Sequence, residues 1–101
     1  MKLMIICMKL IVKVNFYLHN DFGLAVANTL AAINAGASEF HSTVNGIGER
    51  AGNTSFEEVV VAINFLFSDY STNVNIHEIY SISKLVSRLT GMVPPNKPIV
   101  G

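Results

Sequence analysis

The hydrophobic positions of the chain switch twice from a strand-like to a helix-like spacing. Residues 11–19 and 37–44 are short runs rich in β-branched and aromatic side chains. Each run precedes a segment whose apolar residues lie three or four positions apart, residues 23–35 and residues 54–67, and Gly36 suits the left-handed end of the first. This alternation predicts an α/β fold in which two parallel strands are joined by helical crossovers.

A third helix is predicted after the polar loop formed by residues 68–73. Gly91 suits its left-handed end, and three prolines beyond it predict an extended, non-helical tail. The spacing of the apolar residues predicts one buried stripe along this helix. The stripe consists of Ile79, Ile82, Val86 and Leu89.

Polar residues mark where two of the helices begin. Before the second helix, Thr54 with Glu57 and Ser55 with Glu58 form two overlapping capping-box patterns. Asn75, three residues before an acidic residue, is the predicted cap of the last helix. The three helices are therefore predicted from capping as well as from periodicity.

The first ten residues are apolar but are interrupted by Lys2 and Lys9. The uncharged run between these lysines is shorter than a signal-peptide core and far shorter than the roughly 20 residues that span a bilayer. We interpret this segment as the end of a surface helix that leads into the first strand.

Composition narrows the possible partners and the compartment. The chain has 101 residues, 7 Lys+Arg and 7 Asp+Glu, so its formal net charge is zero. Neutrality gives no electrostatic basis for binding nucleic acid or an anionic membrane, and we expect neither partner. A single cysteine, Cys7, cannot form an intrachain disulfide, which favours a cytoplasmic protein.

Polar, glycine-containing turns follow both predicted strands. The first turn is HNDFG at residues 19–23, and the second is NGIGERAGN at residues 45–53. Ligand sites in α/β folds lie at the carboxyl ends of parallel strands, so the two turns are predicted to belong to one site.

A closed (β/α)8 TIM barrel needs about 250 residues. Residues 1–91 are therefore predicted to form a partial barrel, the last two βα units and a following helix, with residues 92–101 as a Pro-rich tail.

Strand alternation separates the side chains of the two strands into two faces. Leu18 and Phe40 are predicted to face the helices, whereas Tyr17, His19 and His41 are predicted to face the barrel interior. Thr43 continues this polar face. A polar network and substrate contact are both compatible with such a face.

The two turns, with the helices after them, carry a resemblance to a known family. HNDFGLAVANTLAAINAGA and STVNGIGERAGNTSFEEVV resemble the pyruvate-carboxyltransferase-like TIM-barrel family of 2-isopropylmalate, homocitrate and citramalate synthases, with hydroxymethylglutaryl-CoA lyase as a more distant relative. The similarity extends from about residue 12 to residue 101. It implies an acyltransferase of amino-acid biosynthesis that condenses acetyl-CoA with a 2-oxo acid, with the help of a divalent metal (Mg, Mn, Zn or Co).

The resemblance also implies which residues bind the metal. In the family the ligands are an acidic residue early in the barrel, a His-x-His pair and an asparagine. In this sequence His19 matches the second histidine, and Asn53 matches the asparagine. Tyr17 replaces the first histidine, and a neutral phenol is a poor ligand for such metals. The early acidic residue has no counterpart in this sequence. We therefore expect negligible specific metal binding by this chain and a measurable rise in Tyr17→His. Without another chain or self-association to complete the barrel, we expect no activity.

Several residues of the turns have more than one interpretation. Gly46, Gly48, Glu49 and Gly52 are the residues predicted to border a cofactor, although Glu49 is also predicted to form an ion pair with Arg50. Asp21 is interpreted either as a partner of a metal ligand or as a helix cap, and Asn53 as a ligand or a loop amide. No catalytic residue is assigned.

Two other functions are considered beside a segment of a condensing enzyme. The first is a degenerate, non-catalytic remnant, which Tyr17 favours. The second is a small nucleotide-binding module, because GIGERA at residues 46–51 matches the G-x-G-x-x-A fingerprint and Asp69 lies about 20 residues on. A carboxylate at Glu49 and a helix that begins too late for phosphate binding argue against the module.

Overall fold

The computed structural model describes residues 15–92 and 96–101. Strands and helices alternate as predicted, and two short 3₁₀ turns precede the second and third helices. The elements are β1 (Asn15–Tyr17), α1 (Ala25–Asn34), β2 (Glu39–His41), the turn Val44–Gly46, α2 (Phe56–Leu66), the turn Ile76–Glu78 and α3 (Ile79–Thr90). The helix predicted for residues 1–10 and the first four residues of the first predicted strand lie outside the described residues. Within the described ranges, no helix is long and apolar enough to cross a membrane.

The two strands form a parallel pair, which confirms the predicted arrangement. Tyr17 is in register with His41. Both strands end earlier than predicted because the residues at their carboxyl ends pair with the segment before α2 instead of with each other. His19 forms an antiparallel bridge with Asn53, and Thr43 forms a parallel bridge with Ser55.

The helices α1 and α2 cover one face of this sheet. Ile33 of α1 is buried together with Val59 and Ile63 of α2, and Phe40 packs against this cluster. Leu18 packs with Phe40 against the buried Ala32. The predicted division of the strands into a helix-facing and an opposite face is therefore correct for Leu18 and Phe40.

A second buried cluster holds α3 and the end of the chain against α2. It consists of Val60, Ile79 and Val100. The tail was predicted to be extended, but residues 96–101 form turns in which the Gly101 amide donates to the Lys97 carbonyl at 2.8 Å. The tail turns back because the burial of Val100 removes an apolar side chain from water.

The predicted apolar stripe on α3 is only partly buried. Ile79 is buried, but Ile82 is 39% exposed and Leu89 is 76% exposed. The buried face instead continues through Ser83 and Ser87. These serines contact a polar side chain of the glycine-containing turn, a contact that periodicity does not reveal.

The predicted capping boxes of α2 are not formed. Its N-cap, Ser55, makes no capping hydrogen bond, and its hydroxyl donates to the Glu57 carboxylate at 2.6 Å. Thr54 instead shares a hydrogen bond with Thr29 of α1 at 3.1 Å. Asn75 does cap as predicted, because its side chain accepts a hydrogen bond from the His77 amide at 3.1 Å.

Candidate active site

The segment before α2 folds back onto the end of β1 and brings the two predicted metal ligands together. The Thr54 amide donates to the Leu18 carbonyl at 3.1 Å, and the Asn20 amide donates to the Gly52 carbonyl at 2.8 Å. His19 and Asn53 are paired between these two bonds. Two residues that are 34 positions apart therefore lie side by side on adjacent backbones.

The side chain of Asn53 is buried with one polar atom unsatisfied. The residue is 6% exposed, and its amide nitrogen donates to the Tyr17 hydroxyl at 3.0 Å and to the Ile47 carbonyl at 3.4 Å. Its amide oxygen has no hydrogen-bond partner among the described residues. An unpaired buried acceptor costs free energy, so this oxygen is suited to a donor or cation from outside the chain.

Gly48 makes room for this side chain. A Cβ at this position would lie 2.4–2.8 Å from the three terminal atoms of the Asn53 amide. Gly52 is constrained as well, because its φ is +92° and a Cβ there would collide with the Gly46 carbonyl oxygen. These two glycines are therefore required by close approach within the turn, and a role in ligand binding is not needed to explain them.

Three aromatic side chains lie close together on the sheet face that α1 and α2 leave uncovered. The Tyr17 ring is 5.2 Å from that of His19 and 5.9 Å from that of His41, measured between ring centroids, and both contacts are edge-on. All three side chains are exposed, Tyr17 to 56%. Thr43 lies two residues beyond the end of β2, and its buried hydroxyl has no partner among the described residues.

The glycine-containing turn borders a cavity of about 210 Å³. Gly46, Gly48 and Gly52 line it together with Arg50 and, from beyond α3, Met92. The side chain of Glu49 is 84% exposed and does not contribute to this lining. Three of the four residues predicted to border a cofactor thus share one concave surface.

Arg50 joins the two turns through Asp21. Its guanidinium donates three hydrogen bonds of 3.1–3.2 Å to the Asp21 carboxylate. The predicted ion pair with Glu49 is also formed, at the longer distance of 3.9 Å. The hydrogen bonds to Asp21 raise the pKa of Arg50. Because the pKa of Arg50 is higher in the folded than in the unfolded chain, its interaction with Asp21 contributes stability at any pH below the unfolded-state pKa. This contribution is lost only as the pH rises through the folded-state pKa, so Arg50 stays charged near neutrality.

The geometry does not support a dinucleotide fingerprint. In that motif the helix begins at the glycines, so that its amino end meets the phosphates. Here α2 begins at Phe56, eight residues after Gly48. Asp69 follows this helix instead of ending a strand.

Sequence reasoning missed a buried ion pair behind the turn. Glu57 is 1% exposed, and its carboxylate accepts a hydrogen bond from the Asn45 backbone amide at 3.0 Å. The same carboxylate lies 3.6 Å from the Lys97 ammonium. Lys97 also forms an ion pair with Glu58 at 2.6 Å. Periodicity gave no signal for this contact, because Lys97 lies in the tail. The ion pair anchors the tail against the turn that carries Asn53.

The chain matches the family model described as HMGL-like over residues 1–86. It is 61% identical over 84 residues to a candidate (R)-citramalate synthase of Methanothermobacter thermautotrophicus, covering 82% of this chain and 17% of that protein. It is 56% identical over 93 residues to a 2-isopropylmalate synthase of Pyrococcus furiosus, covering 89% of this chain and 19% of that protein. The chain thus spans about a fifth of the length of these curated relatives.

A solved structure has the same fold. An HMG-CoA lyase from Acinetobacter baumannii superimposes with a TM-score of 0.80 at 23% identity, covering 95% of this chain and 33% of that one. The family model covers most of the chain, and the matched residues include both turns that form the candidate site. The protein therefore belongs to the HMGL-like, or pyruvate-carboxyltransferase, family.

Proposed function

We propose that this chain supplies the last two βα units of a (β/α)8 barrel that condenses acetyl-CoA with a 2-oxo acid. The products named by its relatives, citramalate and 2-isopropylmalate, form when the methyl carbon of an acetyl thioester bonds to the keto carbon of a 2-oxo acid and the thioester is hydrolysed. In this proposal the rest of the barrel comes from polypeptide beyond these residues, because the relatives are about five times as long.

The unsatisfied amide oxygen of Asn53 is the single observation that carries the proposal. A site that places a buried acceptor beside a histidine is suited to a divalent cation, and Asn53 and His19 are paired in this way. These residues would hold the metal, which supplies Lewis-acid polarisation of the keto oxygen. Tyr17 would orient Asn53 through the hydrogen bond to its amide nitrogen.

The thioester is expected to lie over the glycine-containing turn. The cavity there is concave and open to one side of the turn, and the lyase of similar fold was solved with coenzyme A and 3-methylmalate. The neutral charge of the chain and its single cysteine favour a cytoplasmic location for this reaction.

Complementation tests this proposal. The chain is mixed with a family barrel truncated before its seventh strand, and release of the coenzyme A thiol is followed with acetyl-CoA and either pyruvate or 3-methyl-2-oxobutanoate. We expect the mixture to exceed the summed activity of its parts. Asn53→Ala should abolish the gain, and Tyr17→His, which restores the family's first histidine, should increase it.

A non-catalytic remnant is the second candidate, and Tyr17 is the observation that favours it. If the mixture gains no activity with either 2-oxo acid, and Tyr17→His restores it, the substitution has disabled a site that is otherwise intact. If neither version gains activity, the proposed function is wrong.

A further inference from the structure

We propose that Asn45 is a deamidation site, that contact with α3 keeps it unreactive, and that its modification releases α3 from the glycine-containing turn. The inference goes beyond the proposed function and does not rest on it, because it concerns the covalent chemistry of the chain itself. Asn45–Gly46 is the one place in the sequence where a glycine follows an asparagine. Glycine has no side chain to obstruct the nitrogen that attacks in this reaction, so the pair is intrinsically reactive.

Deamidation of this pair needs no reagent other than water. The Gly46 nitrogen bonds to Cγ of Asn45, the bond between Cγ and Nδ2 breaks, and ammonia leaves with the proton of the Gly46 amide. Water then opens the resulting five-membered ring at either of its two carbonyl carbons. The products are an aspartate with the normal main chain and an isoaspartate, whose main chain passes through the side-chain carbons.

The backbone of Asn45 is held in a conformation from which this ring does not close. Closure needs Cβ of Asn45 and the Gly46 nitrogen on the same side of the bond between Cα and the carbonyl carbon. At the observed ψ of 9°, the Gly46 nitrogen nearly eclipses the nitrogen of Asn45 itself, and the tetrahedral Cα directs Cβ away from it. Two hydrogen bonds fix this conformation. The Gly46 amide donates to the Thr43 carbonyl at 3.1 Å, and the Asn45 amide donates to the Glu57 carboxylate at 3.0 Å.

Two serines of α3 hold the side chain that would react. Nδ2 of Asn45 donates to the Ser83 carbonyl at 3.1 Å and to the Ser87 hydroxyl at 3.2 Å, and the Ser83 hydroxyl donates to Oδ1. Both serines are buried, so these bonds are shielded from water. The ring can therefore form only after α3 has moved away from the turn.

The contact between α3 and the turn is mainly polar. The buried residues of α3 are Ile79, Ser83 and Ser87, whereas α1 and α2 pack through isoleucine and valine side chains. Segments with few buried apolar contacts open locally at a lower free energy than global unfolding requires. We therefore expect α3 to leave the turn while α1 and α2 remain packed, and deamidation to proceed from this open state.

Conversion of Asn45 to aspartate would oppose the return of α3. The NH2 group that donates to the Ser83 carbonyl becomes a carboxylate oxygen, which only accepts, so two acceptors would face each other. The new charge would also lie close to the carboxylate of Glu57, which is buried and bonded to the Asn45 backbone amide. Like charges repel more strongly in a partly buried site than in water. The modification therefore acts as a one-way release of α3.

Mass spectrometry of the full chain tests the inference without a variant. Replacement of the side-chain NH2 by OH raises the mass of the peptide that contains Asn45, and an isoaspartate-specific methyltransferase labels the rearranged product. The rate in the folded chain is expected to be about tenfold or more below the rate in guanidinium chloride, because only the open state reacts. Equal rates in the folded and the unfolded chain would overturn the inference.

Ser87→Ala removes one hydrogen bond to the Asn45 side chain and is expected to raise the rate in the folded chain by about 2- to 10-fold. Ser81→Ala is the matched control, because Ser81 is on the exposed side of the same helix, and it should react as wild type does. Hydrogen exchange of α1 and α2 in the same samples verifies that both variants are folded. Equal rates in the two variants would overturn the role assigned to α3.

Asn45→Asp represents the deamidated product and tests the release of α3. Amide hydrogen exchange within α3 is expected to be about tenfold or more faster than in wild type, while α1 and α2 keep their protection. Asn96→Asp is the control, because Asn96 is exposed, and it should leave the exchange of α3 unchanged. Wild-type exchange of α3 in Asn45→Asp would overturn the proposed release.

Discussion

At the scale of single residues, Asn45 connects the glycine-containing turn to two helices. Its φ is +62°, and its side-chain nitrogen donates to the Ser83 carbonyl at 3.1 Å and to the Ser87 hydroxyl at 3.2 Å, while Ser83 donates to its side-chain oxygen. Its backbone amide also donates to Glu57. Asparagine tolerates the left-handed conformation better than most residues, which explains why it occupies this position.

Asn45→Ala is predicted to lower the free energy of unfolding by about 2–4 kcal/mol. The substitution removes the side-chain hydrogen bonds and forces an alanine into the left-handed conformation, which alanine tolerates less well than asparagine. Asn96 is the matched control, since it also has a positive φ, +49°, but is exposed. Asn96→Ala should cost only about 1 kcal/mol. Urea denaturation followed by circular dichroism measures both, and equal costs would show that the Asn45 side-chain bonds contribute nothing.

At the scale of elements, α1 and α2 are held together by aliphatic packing, whereas α3 is attached through both apolar and polar contacts. Ile33 of α1 packs against Val59 and Ile63 of α2. On α3, Ile79 is buried against Val60 and Val100, but the rest of the buried face is serine. The larger apolar side chains of α3 therefore remain exposed.

Ile33→Ala is predicted to destabilise the chain by about 2–5 kcal/mol, because it leaves a cavity between two packed helices. Leu89→Ala, on the exposed side of α3, should change the free energy of unfolding by less than about 0.5 kcal/mol. The same urea titration measures both substitutions. A large cost at Leu89 would contradict the exposed position of that side chain in the structure.

At the scale of the whole molecule, the described sheet is covered on one side only. The molecule extends 42 × 29 × 19 Å, and its smallest extent matches a single layer of helices about 10 Å wide on one sheet. Each strand has one unpaired edge within the described residues. The face that carries Tyr17, His19 and His41 has no covering layer there, and large apolar side chains such as Phe22, Phe65 and Leu66 are more than 70% exposed.

The isolated chain is therefore predicted to self-associate or to lack fixed tertiary packing, because open strand edges and exposed apolar side chains favour contacts between copies. Size-exclusion chromatography with near-ultraviolet circular dichroism measures this. We expect elution ahead of a compact 11.0 kDa monomer, or weak near-ultraviolet bands. A sharp monomer peak with strong near-ultraviolet bands would show that the open sheet is stable alone.

The sequence determined those features that depend on neighbouring residues. The order of strands and helices, the left-handed end at Gly91 and the packing side of Leu18 and Phe40 follow from periodicity and from local backbone preferences. The family was predicted as well, because its two turns are continuous stretches of sequence.

Only the tertiary structure decided the contacts between residues that are distant along the chain. The contact of Arg50 with Asp21 in addition to Glu49, the serine face of α3 against Asn45 and the return of Lys97 to Glu57 each join separate elements. Periodicity indicates which side of an element is buried, but a polar side chain finds its partner only after the backbone has brought the two together. For the same reason, the family resemblance marked Tyr17 as the replacement of a ligand, whereas only the structure shows its ring in contact with His19 and His41 and its hydroxyl bonded to Asn53.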